Sequence, residues 1–114
     1  MSYDERLADR VREALEHLPD VTEKEMFSGI CFMVDGKMCV CVSHDSLLCR
    51  IGAEAAETAL EQNNVSRMIN AGRPMKDYVY VSEEAFHNKK DFDHWIKLSL
   101  DFNPKAKASK KKGK

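Results

Sequence analysis

The chain has 114 residues, 43% hydrophobic and 32% charged, which fits one globular domain with a single core and excludes a disordered chain. No apolar run approaches the roughly 18 residues that cross a bilayer, and Met1-Ser2-Tyr3-Asp4-Glu5 lacks the basic start and apolar stretch of a secretory leader, so a cytoplasmic protein without membrane contact is expected. The net charge of −1 hides an asymmetry: six lysines lie in residues 105–114, leaving 12 basic against 19 acidic side chains in 1–104, a balance of −7. Such a body attracts nucleic acid poorly, so any contact of that kind falls to the tail.

Residues 2–18 are predicted to be helical. Ser2 and Glu5 have capping-box spacing, and Leu7, Val11, Ala14, Leu15 and Leu18 recur at steps of three and four. Pro19 stops the helix. Residues 22–51 read as strands. Residues 30–34 form an unbroken apolar run, and Asp35-Gly36 is the pair a two-residue hairpin needs, because both positions take positive φ. Residues 38–43 return, His44-Asp45 makes a second tight connection, and residues 46–51 form a third strand.

Register follows from those turns. Val34 should face Lys37, Met33 Met38, Phe32 Cys39 and Cys31 Val40; across the second turn Val42 faces Leu47 and Val40 faces Cys49. Facing partners share a side of the sheet. One side then carries Cys31, Met33, Met38, Val40, Val42, Leu47, Cys49 and Ile51, the expected core. The other carries Ile30, Phe32, Cys39, Cys41, Leu48 and Arg50, which is apolar enough to need a cover. Ile30, Phe32 and Leu48 are therefore the candidate face of a homodimer.

Gly52 breaks the strand pattern. Residues 53–62 read as a helix with Ala56, Ala59 and Leu60 at helical spacing, ended by Asn63-Asn64. Residues 65–71 form a weak strand, Gly72-Arg73-Pro74-Met75 a turn, and residues 77–82 a strand with Val79 and Val81 on one side and Tyr78 and Tyr80 on the other. Ser82-Glu83-Glu84 suits the start of a short helical turn. Residues 91–102 form the last helix, with Phe92, Trp95, Ile96 and Ser99 along one stripe. Pro104 is expected to close a domain spanning 1–103, followed by a disordered lysine-rich tail, 104–114. The order α-β-β-β-α-β-β-α implies an α+β fold of two layers, an antiparallel sheet with helices on one face.

No set of residues forms a reaction centre. Cys39-x-Cys41-x-x-His44 offers half a zinc site, but zinc needs four converging ligands, and the register sends Cys31 and Cys49 to the opposite face. A cytosolic setting argues against disulfides. Cys31 and Cys49 lie two strands apart, about 10 Å, too far to bond. Ser43-His44-Asp45 has the residue types of a hydrolase triad, yet neighbours in a tight turn point apart and cannot relay a proton. No catalytic, cofactor-binding or metal-binding residue is assigned, and a non-enzyme is expected.

Met26-Phe27-Ser28-Gly29, the apolar strand after it, Asp35-Gly36-Lys37-Met38, Arg50-Ile51-Gly52, and Gly72-Arg73-Pro74-Met75-Lys76 before Tyr78-Val79-Tyr80-Val81 together resemble the N-terminal domain of TfoX/Sxy-type regulators over residues 3–103. Ser28 stands where that family usually shows a second glycine. The resemblance implies a secretion-chaperone-like α+β fold in stand-alone form. It also implies a link to natural competence, since full-length relatives act with the cyclic-AMP receptor protein to switch on DNA-uptake genes. A transcription regulator is then the expected protein partner, and Arg73, which has no evident structural duty, is the candidate contact together with Met75 and Lys76. Two alternatives stand beside it: an accessory protein that touches DNA weakly through residues 105–114, and a small thiol-based sensor using Cys39 or Cys41.

Overall fold

A computed structural model describes residues 3–26 and 29–106. Ser2, Phe27, Ser28 and the lysines from 107 onward lie outside the described residues. The first helix, α1 (Glu5–Leu15), is capped by Asp4, whose carboxylate accepts from the backbone N–H groups of Arg6 and Leu7, so Asp4 holds the capping position expected for Ser2. Leu7, Val11 and Leu15 bury the predicted stripe.

Six strands follow in one antiparallel sheet: β1 (Val21–Met26), β2 (Gly29–Val34), β3 (Lys37–Ser43), β4 (Ser46–Arg50), β5 (Val65–Asn70) and β6 (Arg73–Val81), in spatial order β1-β2-β3-β4-β6-β5. Helices α2 (Ala53–Ala59) and α3 (Lys89–Phe102) complete the fold, with short 3-10 turns at Glu83–Ala85 and Asn103–Lys105. The two-layer α+β architecture matches the expectation, with one strand more: the order is α-β-β-β-β-α-β-β-α. The extra strand is β1, whose Thr-Glu-Lys-Glu core carries no apolar alternation. Pairing with β2 alone makes it a strand, and its charges suit an outer edge.

Both tight turns fall where expected. Asp35 and Gly36 take φ of 55° and 77°, and His44 takes 55°, with Ser43 paired to Ser46. The β5–β6 turn differs. Asn70 pairs with Arg73, so the loop is Ala71-Gly72, both at positive φ, and Arg73-Pro74-Met75 belongs to β6.

The first hairpin departs from the expected register for a definable reason. Met33 opposes Met38, but Phe32 opposes Val40 and Cys31 opposes Cys41, which leaves Cys39 as one extra residue in β3. A bulge of one residue moves every later side chain to the other face. Ile30, Phe32 and Val34 thus join Val40, Val42, Leu47, Cys49 and Ile51 beneath the helices, while Cys31, Met33, Met38, Cys41 and Leu48 share the opposite face. Gly29, beside this hairpin, is required by proximity: a Cβ there would fall on the Val42 carbonyl oxygen.

The helix-side core is closed by α3. Phe92, Trp95, Ile96 and Ser99 are buried as predicted, and the Trp95 indole N–H donates to the Ala85 carbonyl at 3.0 Å. Asn103 is buried and its side-chain amide donates to the Val34 carbonyl at 3.1 Å, tying the end of α3 to β2. Packing continues to Ala106, which is buried and donates its N–H to the Phe102 carbonyl.

Candidate functional site

The face away from the helices is built from sulfur and aromatic side chains. Cys31, Met33, Met38, Cys41, Leu48 and Met68 form a second buried cluster, with Met75, Tyr78 and Tyr80 packed against it. Met68 comes from β5, which three strands separate from β2, about 19 Å in a flat sheet. Leu48 on β4 and Tyr78 and Tyr80 on β6 lie between, so the cluster is continuous across the sheet, and β6 bulges beside Met68. Arg67 opposes Val79, but Met68 opposes Met75, so Lys76, Asp77 and Tyr78 lie between successive pairs. Beyond the bulge the β5–β6 hairpin runs on past the end of β4 as an arm, since β4 pairs with β6 only from Tyr78 to Val81.

At the centre of this face Cys31 and Cys41 form a disulfide, with Cα atoms 4.0 Å apart. This corrects the expectation that no disulfide forms. Without the bulge Cys31 meets Val40, whereas with it the two cysteines are directly opposed. The four sulfurs still divide two and two between the faces, but the members change. Cys31 and Cys41 are joined on the open face, and Cys39 and Cys49 are free and buried in the helix-side core.

Burial pushes both free thiols up to about 12; the positive charge of Arg50 partly opposes this at Cys39, and a hydrogen bond with Ser99 does so at Cys49. Neither is an activated thiolate at neutral pH. Arg50 lies with its guanidinium carbon 5.5 Å from the Tyr78 ring centroid, and burial raises the Tyr78 phenol.

The expected dimer residues do not share a surface. Ile30 and Phe32 are covered by the helices, and Leu48 is fully buried on the other face. The residues expected to meet a partner lie together on the β5–β6 arm. Arg73 and Lys76 are exposed and Met75 is half-buried, all on the arm. Ile69, which no sequence signal singled out, pairs with Pro74 and is 58% exposed.

His44 and Asp45 are exposed at the β3–β4 turn and line a shallow polar depression with Ser43, Ser46, Ser66, Tyr80 and Ser82. The His44 carbonyl accepts from the Asp4 N–H, so this turn anchors the start of α1. Among the described residues no three His, Cys, Asp or Glu side chains gather as a metal group, and no helix is long and apolar enough to cross a membrane.

The sequence model described as TfoX N-terminal domain matches residues 13–103 of the chain. No curated protein matches it.

Proposed function

The chain belongs to the TfoX N-terminal domain family, and on that premise we propose that it is a non-enzymatic cytoplasmic module that modulates competence-type transcription by contacting a regulator protein. The observation that supports this reading is the composition of the β5–β6 arm. Ile69 is the one large hydrophobic side chain exposed among the described residues, and Arg73 and Lys76 of the same hairpin are exposed as well. Residues 65–76 contain Arg67, Arg73 and Lys76 and no acid, on a body whose balance is −7. Arg67 is already paired with Glu57, which leaves Arg73 and Lys76 as the exposed cations of an arm that also exposes Ile69; a partner that offers an apolar contact beside carboxylates fits such a segment, and arginine is among the residues that dominate such contacts. An acidic partner meets less repulsion at such an acid-free segment than the net charge of the body alone would suggest.

The test is direct titration of fluorescently labelled chain with purified cyclic-AMP receptor protein, followed by anisotropy. Saturable binding that Ile69→Asp or Arg73→Ala weakens about tenfold or more supports the arm as the contact. Both positions are exposed, so neither change disturbs the core. No binding by the native chain overturns the choice of partner. Equal binding by both variants overturns the role of the arm.

A further inference from the structure

Ten side chains in the chain carry sulfur, and six of them converge on the open face of the sheet. Their arrangement is ordered by the ladder. Cys31 opposes Cys41, Met33 opposes Met38, and Met68 opposes Met75. Opposed side chains share a face, and Cys31 and Met33, two apart on β2, point the same way. Among the described residues no His, Asp or Glu joins the two cysteines to make a group of three. The donors at hand are thus all soft: two thiols, when reduced, and several thioethers. Zinc sites use four Cys, His or carboxylate ligands, which this face lacks. Thiolate and thioether donors select copper(I).

We propose that, once the Cys31–Cys41 bond is reduced, the two thiolates with the Met33 and Met38 thioethers bind one copper(I) ion, so that disulfide and metal are alternative occupants of one pair. With Cα atoms 4.0 Å apart, both thiolates reach a single ion without rearrangement of the strands. Cys31 and Cys41 are 0% and 1% exposed, and the apolar shell around them keeps water from the ion.

The reductant is a dithiol. Its first thiolate attacks one cysteine sulfur and expels the other as a thiolate, which takes a proton; its second thiol then displaces the first cysteine and closes the reductant into a cyclic disulfide. Two electrons pass from the dithiol to the bond, leaving two thiols on the strands. Copper(I) displaces both thiol protons to solvent and keeps its oxidation state.

The experiment uses the full chain, reduced anaerobically, freed of dithiol and titrated with copper(I) in competition with a chromogenic copper(I) chelator, with circular dichroism to confirm folding. One ion per chain is expected, with no binding by the disulfide form, which needs no mutation to prepare. Cys31→Ser and Cys41→Ser should each weaken binding by at least about a hundredfold, and Met33→Leu with Met38→Leu by about tenfold. Leu for Met conserves volume, so this pair stays folded even where the serine variants do not. Cys39→Ser with Cys49→Ser should leave binding unchanged. A folded, reduced chain that takes up no copper overturns the proposal. So does stoichiometric binding that survives loss of both Cys31 and Cys41, or equal binding by the disulfide form.

Discussion

The two faces of this sheet exclude water about equally well but are made of different material. Beneath the helices the filling is branched aliphatic and aromatic: Phe32, Val40, Val42, Leu47, Val79, Val81 and Trp95. On the open face it is Cys31, Met33, Met38, Cys41, Met68 and Leu48. Branched and ring side chains have few rotamers and interlock with the stripes that α1 and α3 present, so shape fixes this side. Methionine is unbranched and adapts to irregular space. On the open face one covalent bond, Cys31–Cys41, is added to that filling. A sheet face can therefore be filled by side chains whose shapes interlock with a partner layer or by side chains that adapt to irregular space.

Adjacent residues on the two faces give the largest contrast. Phe32→Ala removes a fully buried ring from the helix side and should cost about 3–5 kcal/mol. Met33→Leu, one residue along and on the other side, should cost less than about 1.5 kcal/mol. Urea unfolding followed by far-UV circular dichroism reads both, and equal losses would erase the distinction between rigid and pliable packing. A smaller effect is expected from the covalent bond. Cys31 and Cys41 are ten residues apart, and a loop of that size restricts the unfolded chain by about 2–3 kcal/mol. Dithiol should lower the urea midpoint of the native chain accordingly and leave a Cys31→Ser, Cys41→Ser double variant unmoved. A shift that persists in the double variant would place the reducible element elsewhere.

The difference between the faces was half legible in the sequence. Helical periodicity named the buried residues of α1 and α3, because a stripe at three- and four-residue steps has one way to be buried. Asp35-Gly36 and His44-Asp45 were readable because the turns demand those backbone angles. The assignment of β2 residues to a face was not readable, since it hangs on Cys39 being an extra residue in β3, and nothing in Lys37-Met38-Cys39-Val40 marks a bulge. That one residue turned Ile30 and Phe32 inward and brought Cys31 opposite Cys41. Likewise Val65-Ser66-Arg67-Met68-Ile69-Asn70 read as a weak strand, but its exposed Ile69 and buried Met68 depend on a second bulge, at Tyr78 and its neighbours. β1 was missed because tertiary pairing, not alternation, makes it a strand.

The smallest predicted effect sits on the helix side and sharpens the comparison from the surface. Arg12 on α1 reaches Glu23 on β1 through two hydrogen bonds, Nε donating to Oε2 at 2.7 Å and Nη2 donating to Oε1 at 2.9 Å, with its guanidinium carbon 5.8 Å from the Phe32 ring centroid. The bidentate pair thus fastens the helix layer to the edge strand over the rigid core. The hydrogen bond from Arg12 holds the Glu23 carboxyl below the usual carboxylate range, against the opposing cost of burial. A carboxylate held low in the folded state adds stability above its unfolded pKa of about 4.3, and that stability is lost as pH falls through the lower folded value. The side chains are 45% and 35% exposed, so solvent screening limits the contribution to less than about 1 kcal/mol. Glu23→Gln should therefore lower the urea midpoint slightly at pH 7. The gap between native and variant should narrow as the pH falls below 4, where the native carboxylate also loses its charge. A gap that stays constant from pH 7 into the acid range would mean that the pair acts through packing against Phe32 rather than through charge.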